Sequence, residues 1–290
     1  MRRLLIIGCG DVLRRALPEL ARCWRLYALV REREAGLRAL GVSQIVGDLD
    51  CRRTLGRLAG IADAVIHSAP PAEDVVDDDR RTRRLIAALR LGSLPRRLVY
   101  ISTSGVYGDC AGAVVPESRP CRPATARGRR RLAAERALRR FGAASACRVS
   151  ILRAPGIYAA DRLPLERLGR GSPVLRPEDD VVTNHIHAED LARACVAALA
   201  RGRANRVYNV NDDSDLAMGD WYDRLADAFG MARPPRLARR EAARALPPAV
   251  LSFMNESRRL DNRRLKRELK LRLRYPTVDD GISAAKGIGN

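Results

Sequence analysis

Short apolar runs separated by helix-length stretches constrain this chain more than any other feature. Leu4–Ile7, Leu26–Val30, Gln44–Val46, Ala64–Ile66, Leu98–Ile101 and Val149–Leu152 succeed one another with helical stretches of about 10 to 15 residues between them. The runs are apolar at consecutive positions and rich in β-branched side chains, so both faces of each strand need cover, as in a parallel sheet between two layers of helices. The rhythm predicts an α/β fold with a doubly wound parallel sheet over residues 1–152. Beyond Arg153, punctuation by Pro155, Gly156, Pro164, Gly169, Gly171, Pro173 and Pro177 predicts loops that cover a site. Helices are expected at Ala188–Arg201 and Met218–Phe229, a strand at Val207–Val210, and a partly frayed tail over Gly281–Asn290. Residues 153–290 are thus expected to return partly to the sheet and to form a smaller C-terminal, substrate-side lobe.

No apolar stretch approaches the roughly 20 residues that a bilayer-spanning helix needs. Met1-Arg2-Arg3 leads straight into a strand-length run without a signal-peptide core, so a cytoplasmic protein with no membrane partner is the expectation. The seven cysteines are scattered and form no CxxC pair; most are expected to be small buried hydrophobes, and no metal site is expected. A net charge of +20, from 54 basic and 34 acidic residues, raises the question of nucleic acid. Only Lys266, Lys270 and Lys286 are lysines, however, the arginines run from Arg2 to Arg274, and aromatic residues make up 4% of the chain. Stacking platforms are scarce, which argues against nucleic acid and leaves a basic nucleic-acid binder as the weaker alternative.

The turn after the first run reads Ile7-Gly8-Cys9-Gly10-Asp11-Val12-Leu13 and opens a helical stretch, the context in which G-x-G-x-x-G holds a dinucleotide. Gly8 permits the tight turn, and Gly10 lets backbone N–H groups approach a pyrophosphate at a helix N-terminus, where the dipole favours anions. Leu13 replaces the third glycine, so the helix must move outward or meet a smaller neighbour. The second run ends at Arg31, where an acidic residue would hold a ribose 2′-hydroxyl. Arginine there favours a 2′-phosphate and hence NADP over NAD; the competing reading is a solvated side chain among Glu32, Arg33 and Glu34. By strand order, Asp48-Leu49 and Ser68-Ala69-Pro70 complete a Rossmann-type nucleotide site.

Further segments join these: Ile101-Ser102-Thr103-Ser104-Gly105-Val106-Tyr107-Gly108, Pro116-Glu117, Leu152-Arg153-Ala154-Pro155-Gly156-Ile157-Tyr158, the stretch from Asn184 through His185 and His187 to Ala192, and Val207-Tyr208-Asn209-Val210. Together they resemble the extended short-chain dehydrogenase/reductase superfamily, in its NAD-dependent epimerase/dehydratase-like branch with atypical members. The resemblance implies an NAD(P)-binding oxidoreductase or epimerase/dehydratase acting on an anionic or sugar-nucleotide-like substrate, with Pro155 bordering the cofactor. It also implies a Thr or Ser at the fifth-strand end that works with a Tyr-x-x-x-Lys helix motif: the tyrosine exchanges a proton, and the lysine lowers its pKa and holds the nicotinamide ribose. Thr103 matches the first role. The family pattern aligns through Pro123, Gly128 and Glu135 and puts Arg127 and Arg131 at the Tyr and Lys positions.

A guanidinium with a pKa above about 12 does not replace a phenol as acid or base. Arg131 is expected to donate to the ribose hydroxyls, and both arginines to meet a phosphate or carboxylate of a ligand. The outer arginines Arg129, Arg136 and Arg140 are expected to form a solvated face. Tyr107 is the substitute catalytic candidate, with Tyr158, Asn184 and His187 on the substrate side; for each phenol, packing with a wet hydroxyl is the alternative. His67 is expected to be a satisfied core residue, and His185 and His187 to make structural hydrogen bonds. Two functions stay open: an enzyme in which Thr103 polarises the substrate and Tyr107 or water takes the proton, and a catalytically silent NADP(H)-binding sensor or scaffold. The expected partner is a small anionic molecule, and the expected assembly a monomer or homodimer.

Overall fold

The computed structural model describes residues 1–288. Seven strands form one parallel sheet: β1 (Arg2–Ile7), β2 (Trp24–Val30), β3 (Ser43–Val46), β4 (Ala64–His67), β5 (Arg97–Thr103), β6 (Arg148–Ala154) and β7 (Arg206–Asn209). Their spatial order is β3-β2-β1-β4-β5-β6-β7, so the winding reverses between β1 and β4. Ile7 pairs with Leu29 on one side and His67 on the other. The three strands therefore stop level, and a crevice opens beyond their carboxyl ends.

Period-two alternation explains the layers. Leu4 and Ile6 face one helical layer and Leu5 and Ile7 the other, all four buried. The first layer holds α1 (Asp11–Ala21) and, packed beside it from much later in the chain, the helix Ala188–Arg201; the second holds α2 (Arg80–Leu89) and α3 (Ala126–Ala143). The Ala188–Arg201 helix is α4, followed by α5 (Met218–Phe229) and α6 (Val278–Ile288). On α1 the buried residues Leu13, Ala16, Leu17 and Leu20 recur at helical spacing. Leu13, in place of the third glycine, shares its cluster with Ala28, Ala154 and Ala192. Small neighbours on the sheet and on α4 thus accommodate it.

Residues beyond 153 supply β7 and α4 to the sheet layers, and a lobe in which Tyr158, Leu168, Val174, Trp221 and Leu225 pack with Val278 and Ile282 of α6. Three expectations are corrected. The tail is helical from Val278 to Ile288, because Gly281 lets α6 close on Tyr158, whose ring a Cβ there would meet at 2.4 Å; Gly289 and Asn290 lie outside the described residues. The β2–β3 link carries only the short helix Ala35–Ala39, which runs into Gly41 at φ +74°, and the β3–β4 link only a 3-10 turn at Arg52–Leu58. Only Cys110, Cys147 and Cys195 are buried, while Cys23 and Cys51 are exposed. Among the described residues no helix is long and apolar enough to cross a membrane.

One sealed polar network crosses the second layer. Arg153 of β6 donates from Nε to Glu135 Oε1 at 3.1 Å and from Nη2 to Oε2 at 2.7 Å, with both side chains at most 4% exposed. Ser102 of β5 donates to the same carboxylate at 2.6 Å. The Arg153 guanidinium lies 4.6 Å from the Tyr107 ring centre, and the Tyr107 hydroxyl donates to Asn209 of β7 at 2.7 Å. Replacing Glu135 with Gln leaves Arg153 as an uncompensated buried charge, and we expect a loss of about 3 kcal/mol in chemical denaturation. Replacing Glu135 with Leu together with Arg153 by Met should recover most of it; a single variant as stable as the parent would contradict this account.

Candidate active site

The crevice deepens into a cavity of about 600 Å³ between the ends of β1 and β4. Gly8 turns there at φ +86°, and a Cβ would stand 2.6 Å from the Ala69 backbone nitrogen, so no larger residue fits. At Gly10 a Cβ would meet nothing within 4 Å. The absent side chain therefore leaves room for a ligand and not for protein. Gly10 precedes α1 without a side-chain cap, so the first-turn N–H groups are open to an anion. This cradle fits the pyrophosphate of a dinucleotide.

Every residue expected at the cofactor lines this one cavity: Gly8, Gly10, Asp11, Val12, Leu13, Arg31, Asp48, Leu49, Ser68, Ala69, Pro70, Arg131 and Pro155. Arg31 is exposed and has no hydrogen-bond or ion-pair partner among the described residues. Arg14, Arg81 and Arg162 were not foreseen; Arg14 pairs with Glu34, Arg81 with Asp50 at 2.5 Å, and Arg162 with Asp11 at 2.9 Å. Arg14 stands one helical turn after Gly10, a spacing that could have exposed it. Nothing local could have revealed Arg162, which meets Asp11 from 151 residues away.

A second cavity of about 540 Å³ adjoins the first, and Thr103, Arg127, Pro155, Ile157 and Arg162 line both. Thr103 Oγ1 accepts the Gly105 N–H at 3.2 Å, which leaves its own proton for an acceptor. A Cβ on Gly128 would stand 2.8 Å from the Gly105 carbonyl oxygen, so α3 docks closely on the end of β5 and fixes where Arg127 begins. Arg127 has no partner among the described residues. Desolvation at the cavity wall, then repulsion from Arg131 and Arg130, lowers its pKa below the ordinary value. Tyr158, Asn184, His185, Trp221, Tyr222 and Arg167 line the far side, with Glu256 as the single acidic side chain among the described lining residues. Glu256 accepts from Arg258 at 2.8 Å through Oε2, while its Oε1 is buried without a donor. Among the described residues no group of three or more His, Cys, Asp or Glu could hold a metal ion.

Residues 56–211, more than half of the chain, match the NAD dependent epimerase/dehydratase family. The chain belongs to that family. It is 27% identical to Protein YeeZ of Escherichia coli over 176 residues, which is 60% of this chain and 61% of that protein, so the match spans less than two thirds of the relative. A functionally unknown conserved protein from Silicibacter pomeroyi superposes with a TM-score of 0.81 at 28% identity over 99% of both chains. MoeE5 in complex with UDP-glucose and NAD superposes at 0.76 and 22% identity, again over 99% of both chains, which shows a common fold.

In this epimerase/dehydratase family member several expected roles are redistributed. Tyr107 lines neither cavity: it is 1% exposed, its hydroxyl is bonded to Asn209, and burial pushes its pKa up to about 12. It is not brought to Thr103. His187 is likewise absent from the cavities; it caps α4 by accepting the Glu189 N–H at 3.3 Å and stacks 3.8 Å from Tyr275. Tyr158 does line the second cavity, but its hydroxyl donates to the Thr277 carbonyl at 3.1 Å, and burial raises its pKa. Asn184 lines the same cavity while bracketing the 258–260 segment, donating to Arg258 and accepting from Leu260 at 2.8 Å each. Arg131 borders the first cavity, yet Nη1 is committed to Tyr100 Oη at 3.0 Å and to the Ile101 carbonyl at 2.9 Å. The solvated face expected on α3 is partly strapped instead, because Asp77 pairs with Arg129 at 2.7 Å. His67 is the buried core residue expected, bonded through Nε2 to Thr82 at 2.9 Å, but its Nδ1 is buried without a partner; burial holds its pKa down at about 3. His185, at the second cavity, is held neutral in the same way at about 4, and contrary to expectation its Nδ1 is buried without a hydrogen-bond partner.

Behind Asn184 a smaller cavity of about 300 Å³ is walled by Asp212, which is 1% exposed. Burial pushes the Asp212 pKa up to about 8 from 3.8. The folded chain then keeps a proton that the unfolded chain releases, so this residue subtracts stability progressively as pH rises from about 4 to about 8. Asp212→Asn removes the dependence. Equilibrium unfolding should show a gain on the order of 5 kcal/mol at pH 8 that fades by pH 4; an equal effect at both would refute it.

Proposed function

We propose that this chain binds NADP(H) in preference to NAD(H) and takes an anionic or sugar-nucleotide-like substrate for oxidoreductase or epimerase/dehydratase chemistry. The observation that carries the reading is the open Gly10 cradle at the α1 N-terminus, with the thirteen expected cofactor residues gathered around one cavity that adjoins a second. MoeE5, of the same fold, holds both UDP-glucose and NAD, which supports a division of labour between two such cavities. When bound, the nicotinamide supplies hydride exchange. The chain's own residues do the rest: the Gly8–Gly10 turn and α1 hold the pyrophosphate, unpaired Arg31 holds the 2′-phosphate, and Thr103 orients a substrate hydroxyl or carbonyl at the junction. Arg127 meets an anionic group of the substrate. With the Tyr107 and Tyr158 hydroxyls bonded elsewhere, proton exchange falls to water or to Glu256.

The same arginines favour a second reading, a catalytically silent NADP(H) sensor or scaffold, since neither Arg127 nor Arg131 exchanges a proton near neutrality. Titration with NADPH and NADH, followed by calorimetry and melting temperature, tests the shared core of both readings. Arg31→Ala should weaken NADPH about tenfold and leave NADH unchanged; equal loss for both, or no binding of either, rejects the NADP assignment. Conversion of a nucleotide-sugar panel by the parent chain separates enzyme from sensor. If the parent is inert, Arg127→Tyr with Arg131→Lys should restore measurable turnover.

A further inference from the structure

The end of the first cavity that faces the second is built from cations. A dinucleotide with its pyrophosphate on α1 and its adenosine toward the ends of β2 and β3 lays its other half across the ends of β5 and β6. The charged residues at that end are Arg127, Arg131 and Arg162. The carboxylates that line the same cavity lie elsewhere: Glu34 and Asp48 follow β2 and β3, and Asp11, on α1, is already matched by Arg15 and Arg162 at 2.9 Å each. Arg131 hydrogen-bonds only to uncharged groups, the carbonyls of Ala69 and Ile101 and the Tyr100 hydroxyl. On the facing wall Glu256 is matched by Arg258. Arg127 has no counter-ion at all among the described residues.

Oxidised and reduced dinucleotides differ by one positive charge on the nicotinamide ring and share every phosphate. Contributions from α1 and Arg31 therefore cancel when the two forms are compared, and the field at the ring remains. We infer that Arg127 makes this cavity discriminate the redox state of its dinucleotide, favouring the neutral reduced ring over the cationic oxidised one. The inference rests on the reading that the cavity holds NADP(H) or NAD(H). A unit charge about 10 Å away, at an effective dielectric of about 20, corresponds to on the order of tenfold in relative affinity. Burial is the main cause of the lowered Arg127 pKa, and the repulsion from Arg131 and Arg130 that follows it reflects the same uncompensated charge. The chain would hold its reduced cofactor and release the oxidised one.

Calorimetric titration with NADPH, NADP+, NADH and NAD+ at fixed low salt tests this on the parent, Arg127→Gln and Arg127→Lys. The ratio of oxidised to reduced Kd should fall about tenfold in Arg127→Gln, be retained in Arg127→Lys, and shrink with added salt in the parent. Arg127 makes no hydrogen bond or ion pair with the described residues, so both variants should melt close to the parent when no ligand is present. A ratio unchanged in Arg127→Gln, with both forms still bound, overturns the inference and leaves the cofactor reading standing. Failure of the parent to bind any of the four overturns the cofactor reading and this inference with it. A merely structural role for Arg127 would weaken both redox forms alike and leave the ratio where it was.

Discussion

The ion pair between Glu135 and Arg153 is the constraint on which the rest of the molecule depends. Two charges sealed from water are tolerated only when nearly every hydrogen-bonding position is met, and here the carboxylate accepts two guanidinium bonds and the Ser102 hydroxyl. The one orphan, Arg153 Nη1, belongs to a guanidinium that rests on the Tyr107 ring. Ser102 and Arg153 are register partners on β5 and β6, and so are Thr103 and Ala154. Because side chains alternate, drawing the first pair toward α3 turns the second pair to the other face, where Thr103 and Ala154 line the first cavity. The same pair holds Glu135, and with it the whole of α3, in the position that brings Arg127 to the junction. Site geometry is thus set from inside the core.

What could be read from the sequence was whatever depends on neighbours along the chain. Strand runs apolar on both faces, a glycine turn before a helix, and short loops after strands all report local constraints, and together they assemble the first cavity. Tyr107 shows the limit. Its position four residues after Thr103 suggested proximity, but the 3-10 turn Ser104–Tyr107 carries it away, and its hydroxyl finds an acceptor 102 residues later in sequence. Arg131 was placed in the cavity wall, while its acceptors on β5 lay 30 and 31 residues upstream and could not be foreseen. Glu256 comes from a stretch after an arginine-rich segment with no motif, and only the fold brings it beside Gly105. The tail was legible in composition but not in outcome, since a glycine that suggests fraying in sequence is what permits α6 to pack against Tyr158.

The excess of arginine takes on meaning only in the folded chain. Many of these side chains are structural ties: Arg97 reaches the last carbonyls of α4, Arg201 the Leu269 carbonyl, and Arg258 both Glu256 and the Gly108 carbonyl. The planar fork of arginine suits such multiple contacts, which a lysine makes less well. Against this background the arginines that lack partners carry more information than the net charge does. Arg31 and Arg127 are two of them, and both line the first cavity, one near the end of β2 and the other at the junction.

With a dinucleotide and an anionic substrate in the two cavities as proposed, a positive field at the junction would act on both at once and couple them. An anion bound beside Arg127 offsets the field that disfavours the oxidised ring, so anion and oxidised cofactor support each other, and by linkage the oxidised form raises affinity for the anion by the same factor. The reduced ring gains nothing from that partnership. At the position where the resemblance implies a tyrosine, a guanidinium would therefore do more than withhold a proton carrier. Under the proposed function, Arg127 then links the charge of the substrate to the redox state of the cofactor, whether or not the chain turns substrate over.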